Sequence, residues 1–190
     1  MTLKPWACAA VAATLIGLSP AAAQGYVQGS AGATLGSWLD INGNAYKMNT
    51  GYNVGISGGL RLTHLLGPNW DLRGDIMHTQ DQYECCSAHL GGTSLMASLL
   101  YHFDVGLPIK PYIGAGLGAV AVNYGAMGGP HETRTSFGGQ VLAGAEYPLM
   151  GRFSLFGEYR FVAANNTSFS RAGSVQYQTH NFMMGLKLAL

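Results

Sequence analysis

The chain has 190 residues, 48% of them apolar and only 10% charged, with 28 glycines and a formal net charge of +1. That length fits one domain, but a soluble globular domain is usually about 25% charged, so this chain has too little charge for an ordinary wetted surface. No apolar run reaches the roughly 18 residues of a membrane-spanning helix, apolar content is too high for disorder, and no Lys/Arg cluster exists to neutralise nucleic-acid phosphates. A chain that is apolar throughout, yet not in blocks, points to a membrane β-barrel.

Residues 1–23 read as a secretory signal peptide. They hold one early charge (Lys4), an apolar stretch over residues 7–18 and the small-residue site Ala21-Ala22-Ala23. Cys8 sits at the start of that stretch, not at the cleavage site, which argues against lipid acylation. Residues 24–190 then form the barrel domain, with nine basic and nine acidic residues and only the adjacent pair Cys85 and Cys86. Two adjacent cysteines cannot be a disulfide framework.

Alternating runs bounded by turn residues mark eight strands in residues 24–190. The first is predicted over 26–38 and leads through a polar loop, 40–49, to the second at 52–64. There Tyr52, Val54, Ile56, Gly58, Leu60 and Leu62 share one face, and Asn53, Gly55, Ser57, Gly59, Arg61 and Thr63 the other. A turn at 66–69 precedes the third strand, 70–79, with Trp70, Leu72 and Ile76 opposite Asp71, Arg73 and Asp75. Loop 80–92 leads to strand 93–103, connection 104–110 to a Gly/Ala-rich strand at 111–124, and loop 125–134 to strand 135–147. The tight turn 148–151 joins strand 152–164, and loop 165–175 joins the last, 176–190, whose apolar face is Phe182, Met184, Leu186, Leu188 and Leu190. Long and short connections alternate. That is the order of an outer-membrane barrel with both termini in the periplasm, and closure is required because lipid cannot satisfy an open sheet edge. The fold class is therefore all-β, an eight-stranded antiparallel up-and-down transmembrane β-barrel.

Strand-end aromatics fit two interfacial girdles: Tyr26, Trp70, Phe103, Tyr112 and Tyr147 on the periplasmic side, and Trp38, Tyr52, Tyr124, Phe161 and Tyr177 on the loop side. Eight charges fall on the faces opposite the apolar ones: Arg61, Arg73, Arg160 and Lys187 against Asp71, Asp75, Glu146 and Glu158. An Arg or Lys facing mid-bilayer lipid is destabilising by roughly 2–4 kcal/mol, so these charges are expected inside. An eight-stranded lumen is about filled by side chains, so the charges must pair there. Arg61 is expected opposite or diagonal to Asp71, Arg73 and Asp75.

Three stretches carry a family likeness: PYIGAGLGAVAV at 111–122, AGAEYPLMGRFSLFGEYRF at 143–161 and the terminal FMMGLKLAL at 182–190. With them the chain resembles the small Gram-negative outer-membrane β-barrels, the group of opacity-type surface proteins and outer-membrane protein A and X type barrels. The resemblance implies residence in the outer membrane among its lipids and lipopolysaccharide. It implies that Glu146 and Glu158 join lumen salt bridges. It also implies assembly by the barrel-assembly machinery through the terminal strand, which here ends in Leu190 where the family usually carries Phe.

Other motifs carry less. Gly114, Gly116 and Gly118 give a GxGxG run, but no helix or downstream acid follows, so they read as small barrel-facing positions. The segment holding His78, Asp81, Glu84, Cys85, Cys86 and His89 has metal-ligand chemistry, but its spacing matches no closed zinc module. It reads as an extracellular loop with Cys85 and Cys86 as a candidate disulfide or reactive pair. His78 and His180 near outer strand ends, with Ser94, Ser168 and Ser170, form no spaced Ser/His/acid set for lipid A chemistry. The expectation is a non-catalytic protein without metal or cofactor, with a structural or surface-exposed role. The alternative is recognition of an unknown host or environmental surface ligand through the loops; a small channel or a lipid A-modifying enzyme ranks lower. Mass spectrometry of membrane fractions is expected to find a chain beginning at Gln24; a retained Met1 or an acylated Cys8 would contradict the signal-peptide reading.

Overall fold

The computed structural model describes residues 25–41, 44–47, 50–63, 65–82, 89–125, 132–169 and 173–190. The signal-peptide segment and the pair Cys85 and Cys86 lie outside them. Strands β1 (Gly25–Ile41), β3 (Gly51–Arg61), β4 (Trp70–Gln82), β5 (His89–His102), β6 (Lys110–Gly125), β7 (Glu132–Pro148), β8 (Phe153–Phe169) and β9 (Gly173–Ala189) pair in sequence, and a short β2 (Asn44–Lys47) flanks the outer end of β1. All pairings are antiparallel, and β1 pairs with β9, which closes an eight-stranded barrel. A row of paired residues followed from Gln28 round the wall through Ser57, Asp75, Met96, Gly118, Gly138, Ala164 and Tyr177 meets β1 again at Leu39. That climb tilts the strands by roughly 40° to the axis, as closure of a barrel requires.

Period-two alternation positions the side chains. Along β4, Leu72 and Ile76 are exposed on the outside while Asp71, Arg73, Asp75, Met77 and Thr79 are buried within; along β5, Leu95 and Leu99 lie outside while Ser94, Met96, Ser98, Leu100 and His102 are buried. Ile56, Leu117 and Met184 belong to the same outer belt, which among the described residues carries no charged side chain between its two ends. In water such a surface would aggregate; against acyl chains it is satisfied. The three short turns lie at the end where Leu190 N–H bonds to Gly25 O, so both described termini share the turn end, the periplasmic one by the usual polarity of these barrels.

Three sequence expectations change. The loop predicted at 40–49 contains β2, and β4, β5, β7, β8 and β9 all run past their predicted outer ends. Backbone pairing needs only N–H and C=O groups, so the ladder continues where apolar alternation stops: side-chain polarity marks the edge of the lipid, not the end of the strand. At the other end β3 stops at Arg61, and Leu62 N–H bonds to Trp70 O to begin the turn. Third, Tyr26, Tyr112 and Tyr177 are buried inside the barrel and belong to no girdle, whereas Tyr52, Phe103 and Tyr147 are exposed on the wall and Trp70 and Phe161 are partly covered. The side chains of Trp38 and Tyr124 lie outside the described set.

The belt predicts a depth-dependent response to charge. Ile56→Arg, at the middle of the wall, is expected to destabilise the folded barrel by about 2–4 kcal/mol, and Tyr52→Arg, near the outer interface, by about 0–1 kcal/mol. Equilibrium unfolding in lipid vesicles checks both values.

Candidate functional site

The chemistry of the molecule is concentrated in the lumen. The ring order places β4 and β8 four strands apart among eight, on opposite walls. Arg73 on β4 reaches across to Glu158 on β8: its Nη1 donates to Oε2 at 2.7 Å and its Nη2 to Oε1 at 3.2 Å. From β8, Arg160 Nη2 donates back to Asp75 Oδ1 at 3.2 Å and also to Glu158 Oε1 at 2.6 Å. Arg73 Nε lies 2.9 Å from Asp75 Oδ1, an ion contact in which the N–H does not align as a hydrogen bond. Two cations and two anions thus neutralise one another across the full width of the barrel.

Neighbouring strands supply the remaining partners. Ser57 Oγ of β3 donates to Asp75 Oδ1 at 2.7 Å, and Ser98 Oγ of β5 and Gln140 Nε2 of β7 donate to Asp75 Oδ2 at 3.2 and 3.1 Å. Tyr112 OH of β6 donates to Glu158 Oε2 at 2.9 Å. Room for that phenol comes from Gly144 on β7, where an added Cβ would stand 2.6 Å from the ring; Gly59 serves Tyr26 in the same way, at 2.3 Å. Six strands therefore contribute side chains to one polar layer. With each carboxylate satisfied by several donors, the desolvation of four buried charges is compensated in the only way available in a low-dielectric interior.

Two further tiers flank it. Toward the turn end, Asp71 accepts from Arg61 Nε at 3.3 Å and pairs with His102 Nε2 at 3.0 Å, while Lys187 Nζ donates to Glu146 Oε2 at 2.8 Å and lies 3.9 Å from the centre of the Tyr26 ring. Toward the loop end, Thr34 Oγ1 donates to Asn181 Oδ1 at 2.8 Å, Asn181 Nδ2 donates to Thr179 Oγ1 at 3.0 Å, and the hydroxyls of Thr79 and Tyr177 are 2.9 Å apart. Met77, Met96, Val120 and Val162 are buried beside these groups.

All eight singled-out charges thus lie in two clusters and one separate pair. Arg73, Asp75, Glu158 and Arg160 form the central cluster, Arg61 and Asp71 share the turn-end cluster with His102, and Glu146 pairs with Lys187. Arg61 pairs directly with Asp71 across the hairpin, while Arg73 stands opposite Gly59. Sequence reasoning put Ser57 on the inward face without a partner, and missed His102, Tyr112, Ser98 and Gln140 as members of this layer. Strand parity would have found them, since His102 alternates with outward Tyr101 and Phe103, and Tyr112 with outward Ile113. Gly114, Gly116 and Gly118 face the lumen side of β6, packed against β5.

Of the residues weighed for other chemistry, Glu84, Cys85, Cys86 and Ser170 and the side chains of Asp81, His89 and Ser168 lie outside the described set, and the described ones do not converge. His78 Nδ1 lies 3.0 Å from Thr93 Oγ1, and His180 Nδ1 lies 2.7 Å from Tyr159 OH, both on the outer wall, whereas Ser94 is buried in the lumen. Among the described residues no three His, Cys, Asp or Glu side chains come together as metal ligands.

Removing one partner of the central cluster leaves an uncompensated buried charge. Arg73→Met is expected to destabilise the barrel by about 3–5 kcal/mol, and Arg73→Met/Glu158→Leu by clearly less, because Arg160 and Asp75 remain paired. Urea unfolding of both variants in vesicles tests this; a double variant no better than the single one would contradict it.

The comparisons with known proteins agree with this architecture. The model of the outer membrane protein β-barrel domain family matches residues 8–188. Neisserial surface protein A is 24% identical with a TM-score of 0.65, over 88% of this chain and 99% of its own. A major outer membrane protein from Thermus thermophilus is 15% identical with a TM-score of 0.55, over 89% of this chain and all of its own (100%). The outer membrane protein OprG from Pseudomonas aeruginosa is 12% identical with a TM-score of 0.54, over 89% and 96%. At these identities the structures show a shared fold. No curated protein sequence matches significantly. By its family match and its closed lipid-facing wall, the chain belongs to the outer membrane protein β-barrel family and is a protein of the Gram-negative outer membrane.

Proposed function

We propose that this protein is a non-catalytic, sealed barrel whose role is structural or surface-exposed. The observation that carries the reading is the cross-lumen set Arg73–Glu158 and Arg160–Asp75, whose members reach one another from opposite walls. An open aqueous path would have to separate these pairs together, leaving buried charges poorly compensated. Barrels that carry solutes in bulk have about 16 strands, twice the number here. The outer-wall histidines His78 and His180 are engaged by the hydroxyls of Thr93 and Tyr159, which supports a role without catalysis.

Planar-bilayer recording of the folded protein is expected to show no stable, large, weakly selective conductance, and Arg73→Ala is expected to raise the frequency of small openings. Large steady currents from the wild type would replace this reading with a channel. In a deletion strain the structural reading expects an envelope-permeability defect; loss of surface attachment with an intact barrier would favour recognition through the loops.

A further inference from the structure

The lumen is crossed a second time, nearer the loops. Tyr177 stands on β9, four strands from β5 in the ring of eight and three from β4. Its side chain reaches both. The phenol oxygen lies 2.9 Å from Thr79 Oγ1 of β4, and an added Cβ at Gly92 of β5 would stand 2.5 Å from that oxygen. A tyrosine that meets the opposite wall is a bar across the lumen. Tyr177 and Thr79 are both buried, so the contact is shut off from solvent at the loop end.

Between this bar and the charged layer lie polar atoms that nothing in the wall satisfies. Asn53 Oδ1 of β3, Ser94 Oγ of β5 and Gln140 Oε1 of β7 have no hydrogen-bond partner among the described residues, although the three residues are only 1%, 4% and 4% exposed. Register fixes their level. Asn53 faces Thr79 across the β3–β4 ladder, Ser94 is the next inward residue after Gly92, and Gln140 Nε2 donates to Asp75 Oδ2 at 3.1 Å. On the turn side of the charged layer no such atom occurs among the described residues. There Asp71 pairs with His102 and Glu146 with Lys187, and Leu100, Tyr112 and Leu142 form an apolar cluster. Buried oxygens persist where something donates to them, and two of these three are amide carbonyls that can only accept. Their guest is therefore a hydrogen-bond donor. It is small, because Met77, Met96, Val120 and Val162 share the space, and uncharged, because the two cations and two anions below already balance. Water meets all three conditions.

We propose that Tyr177 is an outer gate in series with the Arg73–Glu158 layer, and that the stretch of lumen between them is an occluded chamber holding ordered water on Asn53, Ser94 and Gln140. With barriers in series, opening one leaves the other in control of passage. This rests on the sealed-lumen reading and says where the seals lie: large steady current from the wild type would end both, whereas the variants below can fail with the wild type still closed.

The full chain tests both parts, and only samples with the heat-modifiable mobility of a folded barrel are read. In planar bilayers Tyr177→Ala alone is expected to stay as quiet as the wild type, because the charged layer still blocks. Arg73→Ala/Tyr177→Ala is expected to open roughly tenfold more often than Arg73→Ala, since neither constriction then remains. A double variant no more active than Arg73→Ala would overturn the outer gate. Tyr177→Ala conducting as freely as the double variant would overturn the series arrangement. The chamber has a separate readout that does not need the Tyr177 variants to fold. With Cys8, Cys85 and Cys86 replaced by serine, Ser94→Cys puts a thiol in the chamber and Leu142→Cys puts one in the apolar cluster. After transfer to heavy water, the infrared S–H band of Ser94→Cys is expected to convert to S–D roughly tenfold faster than that of Leu142→Cys, because bound water carries the exchange. Equal rates, or faster exchange at Leu142→Cys, would overturn the bound water.

Discussion

A strand surrounded by hydrocarbon has no water to satisfy its backbone, so every N–H and C=O of the wall must find another strand. The β1–β9 ladder meets that demand, joining Tyr26 to Ala189 and continuing up to Ile41 and Val175. Closure then dictates everything inside. Eight strands at this tilt enclose a space of side-chain width, so each inward position must hold either a group that fills it or a glycine that yields to a neighbour. Tyr112 over Gly144 and Tyr26 over Gly59 are two such exchanges, and each places a large ring where a second large residue could not stand.

Closure also forces the inward charges to meet. The wall exposes its belt to lipid, so the charged side chains of β4 and β8 turn inward, and there the opposite wall is close enough for Arg73 to engage Glu158 with both terminal nitrogens. The fork geometry of guanidinium and carboxylate makes this contact directional as well as strong. Strands on either side then add hydroxyl, amide and phenol donors, so the carboxylates bond to more than one wall. The polar layer is a consequence of barrel closure and a brace upon it.

The sequence made the wall legible because alternation is local: the face of Ile56 or Arg73 follows from its immediate neighbours. The Arg61–Asp71 pair was legible for a related reason, since a short turn fixes which residues stand opposite. The Arg73–Glu158 contact was not, because it depends on the number of strands and the climb of the ladder round the ring. The strand-end tyrosines failed in a different way. Tyr26, Tyr112 and Tyr177 have the height of a girdle residue but the parity of a lumen residue, and parity decides. Buried Met77, Met96 and Leu100 escaped notice because apolar residues on an inward face look like lipid-facing ones until the register is known.

Register is where charge and alternation act on each other. A one-residue slip of β4 against its neighbours would carry Leu72 and Ile76 into the lumen and turn Asp71, Arg73 and Asp75 to lipid. The slipped strand would therefore lose its partners on β8 and expose three charges to hydrocarbon, with the arginine alone worth roughly 2–4 kcal/mol at mid-depth. An apolar lumen of equal volume could be as stable as the buried ion pairs, because desolvation offsets much of their attraction. It would not discriminate between registers so sharply, since Leu72 and Met77 could exchange faces at little loss. The charges in this lumen thus do more to select one arrangement of the wall than to add to its stability, and the apolar belt supplies the medium that makes the wrong arrangement unfavourable.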